Sequence, residues 1–330
     1  MDLNTAPRLS DTHCLVPFFS GREESFLKII YRELSSLEKD LGVSSRALYA
    51  LSYHRDKHYR TVFVPKGNGE KRELHVPDNF LKTVQTKIAE NILCDEPISV
   101  YAKAYRKGGS IFANASEHIG KKEILKLDIR HFFDHIIYPL VKEKVFPLER
   151  FSEQNRILLS VLCIYKDALP QGAPSSPIIS NIIMRDFDNT VGEWCSKRNI
   201  SYTRYCDDMT FSGEFNAKEV IEFVKNELRK MHFYLNGRKS VLLKKGQKMI
   251  VTGLIVNEKE NIPSCYRKKL RQEIYYCKKF GIEEHLKRTG IETAPSEYAK
   301  KLFGKVNFVL QADPDNKEMA EYKNWLKEKI

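Results

Sequence analysis

Apolar positions recur every three or four residues over 24–56, where Phe26, Ile29, Ile30, Leu34, Leu37 and Leu41 fall in step. This spacing predicts one helix, with a second starting near Ser44. A short β-like run over 61–64 reaches Pro65, the stretch Lys66-Gly67-Asn68-Gly69-Glu70-Lys71-Arg72 follows, and a second run covers 73–76. That pattern predicts a hairpin with a basic, Gly-rich tip. Helical spacing returns over 79–93 through Phe80, Leu81, Val84, Ile88 and Leu93. Beyond it, 123–129 reads as a strand ending near a carboxylate, and 140–146, 154–164 and 177–191 read as helices. The runs 200–205 and 209–212 are two strands flanking Cys206-Asp207-Asp208, followed by a helix over 220–231 and a strand over 249–256. Strand, helix, hairpin, helix, strand is the order of an antiparallel sheet backed by helices, an α+β class. No Gly-x-Gly-x-x-Gly supports a doubly wound parallel sheet, and no internal repeat or low-complexity tract appears.

Composition narrows the class. The chain has 330 residues, 42% hydrophobic and 11% aromatic, enough for two or three units with real cores, which excludes disordered and collagen-like chains. The apolar runs, such as 251–256, fall far short of the roughly 18–20 residues that cross a bilayer. The first twenty residues lack the basic-then-apolar order of a secretory signal, so a cytoplasmic protein with no membrane partner is expected. Seven cysteines, Cys14, Cys94, Cys163, Cys195, Cys206, Cys265 and Cys277, are widely spaced with no Cys-x-x-Cys pair, which argues against structural zinc and a disulfide framework.

Charge then divides the chain. The net charge is +12, and residues 215–330 hold 25 Lys+Arg against 15 Asp+Glu, so +10 of it lies in the last third. There, Tyr266-Arg267-Lys268-Lys269-Leu270-Arg271 and Tyr275-Tyr276-Cys277-Lys278-Lys279-Phe280 interleave aromatics with cations. Either run alone fits a solvated amphipathic helix, but their concentration in one segment points to a nucleic-acid surface.

Three segments carry candidate chemistry. Asp207 and Asp208 are adjacent carboxylates at a predicted hairpin tip, costly to hold together unless a cation neutralises them. Asp128 ends an apolar strand about eighty residues upstream and precedes Ile129-Arg130-His131-Phe132-Phe133-Asp134. Carboxylates on two strand ends in one sheet can hold two divalent cations roughly 3.5–4 Å apart, and hard oxygen ligands select magnesium. The third segment is Leu169-Pro170-Gln171-Gly172-Ala173-Pro174-Ser175-Ser176-Pro177, ahead of a helix. There Gly172 and Ala173 let backbone approach a flat ligand, and Gln171 both donates and accepts.

Taken in order, these segments resemble a reverse transcriptase. Asp128 with Phe132-Phe133 resembles the first palm motif, the Gln171-to-Pro177 segment the template-and-nucleotide motif, and Tyr205-Cys206-Asp207-Asp208 the catalytic tetrad. Asn236-Gly237-Arg238-Lys239 is similar to the Asn-x-x-Lys motif, and the basic hairpin tip to the fingers loop. The resemblance implies a right-hand polymerase fold with fingers, palm and a helical basic thumb. It divides the chain into an N-terminal helical extension over 1–60, fingers and palm over 61–255 and a thumb over 256–330. It also implies a metal set of Asp128, Asp207, Asp208 and the Ile129 carbonyl holding two Mg2+ ions. Phe133 would be the steric gate against a 2′-hydroxyl, with Lys66, Lys71, Arg72, Gln171 and Lys239 binding the deoxynucleoside triphosphate.

Two further segments narrow the family. Asn114-Ala115-Ser116-Glu117-His118 and Val251-Thr252-Gly253 resemble the Asn-Ala-x-x-His and Val-Thr-Gly elements of retron reverse transcriptases, and no sequence is left over for an RNase H, integrase or endonuclease domain. That resemblance implies a cognate structured non-coding RNA as template, priming from a 2′-hydroxyl of an internal guanosine and a branched RNA-linked DNA product. It further implies trimming by host RNase H and an antiphage system with an effector protein. RNA contacts are expected from Asn114, His118, Val251, Thr252 and Gly253, and in the thumb from Arg267, Lys268, Lys269, Arg271, Lys278 and Lys279. Asn114 and His118 also fit a buried polar pair bracing a helix. An intron-type or abortive-infection reverse transcriptase and a non-catalytic RNA-binding scaffold are the alternatives; the two retron elements argue against the first and the three aspartates against the second.

Overall fold

The computed structural model describes residues 30–65 and 69–330. Its elements in chain order begin with α1 (Leu34–Leu41) and α2 (Ser45–Tyr53), then the hairpin β1 (Tyr59–Pro65) and β2 (Lys71–Pro77), then α3 (Asn79–Lys87) and α4 (Ile111–Ala115). Next come β3 (Glu123–Asp128), α5 (Tyr138–Lys144), α6 (Glu153–Cys163), α7 (Ser176–Ser196), β4 (Ser201–Tyr205), β5 (Asp208–Gly213) and α8 (Ala217–Lys230). The chain ends through β6 (Val241–Lys244), β7 (Ile250–Val251), β8 (Leu254–Ile255), α9 (Ser264–Phe280), α10 (Ile282–Thr289), α11 (Pro295–Ala312) and α12 (Lys317–Lys327). Helix starts follow side-chain caps: Ser44 accepts from the Ala47 amide, Asp78 from Leu81 and Ser152 from Asn155.

The four-stranded sheet has the order β4-β5-β3-β6 and is antiparallel throughout, as the alternation of elements predicted. Side chains alternate across it. Leu125, Leu127, Met209, Phe211 and Tyr202 join the core formed with α7 and α8. In the paired register Lys126, Asp128, Asp208, Thr210 and Ser212 fall on the opposite face. The catalytic candidates therefore sit on the face away from those helices.

Apolar residues form two cores. One runs from Tyr31 to Phe233; the other joins Ala115 and Ile124 to residues from Met249 to Leu326. Leu37, Leu41, Leu48 and Leu51 of α1 and α2 lie in the first core, so these helices pack into the sheet module and do not stand apart from it. The run 249–256, expected as one strand, is instead the tight hairpin β7–β8, because Thr252 (φ 44°) and Gly253 (φ 87°) reverse the chain. β6 was not anticipated: it is a partly exposed edge strand whose alternation is too short to read. Among the described residues no helix is long and apolar enough to cross a membrane, and Cys94, Cys163, Cys195, Cys206, Cys265 and Cys277 are free thiols.

Candidate active site

β3 and β5 bring Asp128 and Asp208 opposite each other as a cross-strand pair. Asp207 occupies the β4–β5 turn and is tied to β3 by its carbonyl, which accepts from the Ile129 amide at 3.0 Å. The turn needs a left-handed residue, and Cys206 supplies it at φ 62°. Asp128 is 4% exposed, whereas Asp208 lies open at the strand start. Partial desolvation against the sheet raises the Asp208 carboxyl above the usual carboxylate range even so, and the Asp207 charge adds to it, with a smaller push from Asp128.

The Asn236-to-Lys239 segment closes on this pair. The Asn236 amide donates to the Asp128 carbonyl at 2.8 Å, and Lys239 Nζ reaches Asp128 Oδ2 at 2.7 Å. That hydrogen bond, more than any other influence, raises the Lys239 ammonium above its ordinary value. The site thus contains three carboxylates, one cation hydrogen-bonded to Asp128, and the Lys126 charge, which acts on Asp208 from the same face. Phe133 follows Asp128 in a short 3-10 turn, half-buried edge-on to Phe132, whose ring packs on Phe233.

A second cluster forms around the β1–β2 hairpin. The Gln171 carbonyl accepts from the His75 amide of β2 at 2.9 Å, and Gly172 (φ 121°) passes so close that a Cβ there would stand 3.0 Å from the His75 carbonyl. Lys71 and Arg72 begin β2 opposite Pro65 and Val64, with exposed side chains. Lys66 lies outside the described residues.

Residues 64–256 match the family model described as reverse transcriptase (RNA-dependent DNA polymerase). The chain is 32% identical over 269 residues to the Retron Ec86 reverse transcriptase of Escherichia coli, covering 78% of this chain and 82% of that one. It belongs to the retron reverse transcriptases. The Retron Ec83 reverse transcriptase of Escherichia coli is 31% identical over 62% of this chain and 70% of its own length. The Retron Mx65 reverse transcriptase of Myxococcus xanthus is 28% identical over 74% of this chain and 63% of its own. A telomerase from Candida albicans, solved with a fragment of telomeric RNA, superposes with a TM-score of 0.43 at 12% identity, covering 82% of this chain and 63% of that one.

The two segments that narrowed the family are joined in this reverse transcriptase, but largely inside it. Asn114 is 1% exposed and His118 and Val251 are fully buried, so their side chains brace the fold in place of the RNA contacts expected of them. His118 bonds Thr203 Oγ1 of β4 and Ser212 Oγ of β5, each at 2.7 Å. One helical turn earlier, Asn114 Nδ2 donates to Thr252 Oγ1 at 3.4 Å, and Thr252 Oγ1 donates to the Ile111 carbonyl at 3.0 Å. Together these bonds hold a β-branched residue left-handed at the β7–β8 turn, with Gly253 exposed beside it.

The basic thumb candidates separate into two faces of α9. Arg271 pairs with Glu318 of α12 at 2.6 Å and Lys278 lies over the Tyr322 and Trp325 rings, so both hold α12 in place. Lys268, Lys269 and Lys279 are exposed, with Tyr275 and Phe280 flanking Lys279 and Arg288 over Phe280; Arg267 is half-buried.

Among the described residues no three His, Cys, Asp or Glu side chains converge as a ready-made cage. The aspartates nonetheless suit a hard cation: all donors are oxygen, and the charge that raises Asp208 is repulsion that a cation would relieve. Sequence reasoning missed a buried cluster beneath the turn, Asn181, Asp188, Tyr202 and Arg204. Its signal was an arginine placed two positions from Tyr202 on an otherwise inward-facing strand edge, which needs a buried carboxylate.

Proposed function

We propose that this RNA-directed DNA polymerase binds one structured non-coding RNA and, primed from a 2′-hydroxyl of an internal guanosine, copies part of it into branched RNA-linked single-stranded DNA. Asp128, Asp207, Asp208 and the Ile129 carbonyl would hold two Mg2+ ions, which when bound activate the attacking hydroxyl and stabilise the leaving pyrophosphate. Phe133 closes the sugar pocket against a 2′-hydroxyl. Lys71, Arg72, Gln171 and Lys239 bind the triphosphate, with Lys239 leaving Asp128 as it does so, and Lys66 belongs to the same set. Fingers and palm span 61–255 and the thumb 256–330; the exposed α9 face, with Lys268, Lys269 and Lys279, and the Thr252-Gly253 turn meet RNA. Host RNase H trims the product, and the system acts in antiphage defence with an effector protein, in the cytoplasm.

The observation that carries this reading is the Asp128–Asp208 cross-strand pair with Asp207 beside it in the turn. The test is the double substitution Asp207→Asn with Asp208→Asn, read by RNA co-purification and by gel detection of branched DNA in cells. RNA binding persists and branched DNA disappears. Branched DNA at wild-type level in that variant would remove the aspartates from the chemistry.

A further inference from the structure

Arg204 heads the largest fully buried side chains among the described residues, and it lies three positions before Asp207. All three nitrogens of its guanidinium donate hydrogen bonds. Nε donates to both Asp188 oxygens at 2.8 and 3.0 Å, and Nη2 donates to Asp188 Oδ2 at 2.6 Å and to Asn181 Oδ1 at 3.1 Å. Tyr202 Oη adds a bond to Asp188 Oδ1 at 2.8 Å. The remaining nitrogen, Nη1, donates to the Cys206 carbonyl at 2.9 Å.

That last bond gives the cluster a role other than stability. A buried ion pair recovers little more than its desolvation cost, and apolar side chains of similar volume hold a core as well or better. Apolar side chains cannot hold a carbonyl. The Cys206 carbonyl belongs to the peptide linking Cys206, left-handed at φ 62°, to Asp207, so its orientation sets where the Asp207 carboxylate points. Asp188 and Asn181 stand on α7, which starts at Ser176 inside the Gln171-to-Pro177 segment. Asn181 Nδ2 also donates to the Ala104 carbonyl at 2.9 Å, and the Arg204 amide donates to the Tyr101 carbonyl at 2.8 Å. One hub therefore ties the catalytic turn to the helix behind the nucleotide motif and to the 101–105 loop.

We infer that Arg204 is a positioning residue for nucleotidyl transfer, fixing the Cys206–Asp207 peptide from beneath through its Nη1 bond and anchored by Asp188 and Asn181. The inference rests on Asp207 acting in the proposed site. Displacing a catalytic group by about 1 Å costs up to about a hundredfold in rate.

The test replaces the charged cluster by an apolar one, Arg204→Met with Asp188→Leu and Tyr202→Phe, in the full chain. The expected variant melts within a few degrees of wild type and binds its RNA equally well. Its kcat for deoxynucleotide addition falls about tenfold to a hundredfold with KM for the template–primer unchanged. Mn2+ binding to the nucleotide-free protein, followed by electron paramagnetic resonance, weakens about tenfold, a readout that core packing alone does not move. Arg204→Lys is the second variant: it keeps a charge opposite Asp188, but one ammonium cannot also reach the Cys206 carbonyl, and the same two losses are expected. Wild-type kcat and Mn2+ affinity in whichever of the two variants folds overturns the inference. Asp207→Asn alone separates the failures: if it retains synthesis, the assignment of Asp207 falls, and if it abolishes synthesis while both Arg204 variants match wild type, only the positioning role falls.

Discussion

His118→Gln removes a titrating group packed on the β4–β5 hairpin, on the sheet face that carries Asp128 and Asp208. The imidazole is fully buried and both nitrogens are engaged, Nδ1 with Ser212 and Nε2 with Thr203. Burial drives its pKa down from 6.5 to about 3, helped by the Lys121 and Lys103 charges. Below pH 6.5 the unfolded chain accepts a proton that the folded chain refuses. The stability of the neutral, bonded ring is complete above 6.5 and declines as pH falls toward 3. The slope for one group is about 1.4 kcal/mol per pH unit, so moving from pH 7.5 to pH 5 costs about 2 kcal/mol. Glutamine donates and accepts but does not titrate, so His118→Gln removes that increment whatever it does to stability at pH 7.5. Urea unfolding of both proteins at the two pH values measures it. The wild type should lose about 2 kcal/mol more than the variant on acidification. Equal losses would show that His118 is protonated in the folded chain and that its two hydroxyl partners do not hold a neutral ring.

Three further outcomes follow from the geometry. On the gate role proposed for it, Phe133→Ala raises ribonucleotide incorporation about tenfold to a hundredfold in single-nucleotide primer extension, and undiminished rejection of ribonucleotides removes Phe133 from the gate. Lys268→Ala with Lys279→Ala removes exposed cations from α9 and lowers the slope of log affinity against log salt by about 1 to 2 for RNA, whereas Arg271→Ala with Lys278→Ala loosens α12 and lowers the melting temperature first. An unchanged slope in the first pair places the RNA elsewhere. Gly192→Ala puts a Cβ 2.0 Å from the Tyr101 ring and destabilises the chain by about 1–3 kcal/mol in thermal unfolding; a neutral effect would mean that the 101–105 loop moves freely on α7.

The parts of the fold that were legible in the sequence are those with a strong local period or punctuation. The β1–β2 hairpin is marked by Pro65 and the Gly-rich tip, α3 by its apolar spacing, and the β4–β5 pair by apolar runs on either side of two aspartates. The 249–256 run misled because Thr-Gly is a weak break between strong β-formers, and the bonds that hold the reversal, from Thr252 to the Ile111 carbonyl and from Asn114 to Thr252, come from a segment remote in sequence. Arg204 and Asp188 stayed hidden for the same reason. Each is an ordinary charged residue locally, and the pairing exists only once α7 lies against β4.

Burial of Asn114 and His118 separates what a motif labels from what it touches. One end of the segment clamps β4 to β5, the strands that carry Asp207 and Asp208, and the other holds the Thr252 turn at the base of the second core. Such a strut joins the Thr252-Gly253 turn to β4 and β5 through side-chain hydrogen bonds, with no loop in between. An RNA seated on the exposed α9 face and that turn would load this strut directly. Changing Asn114 would then alter the coupling between RNA binding and synthesis while every RNA-contacting side chain stayed in place, which a contact residue cannot do.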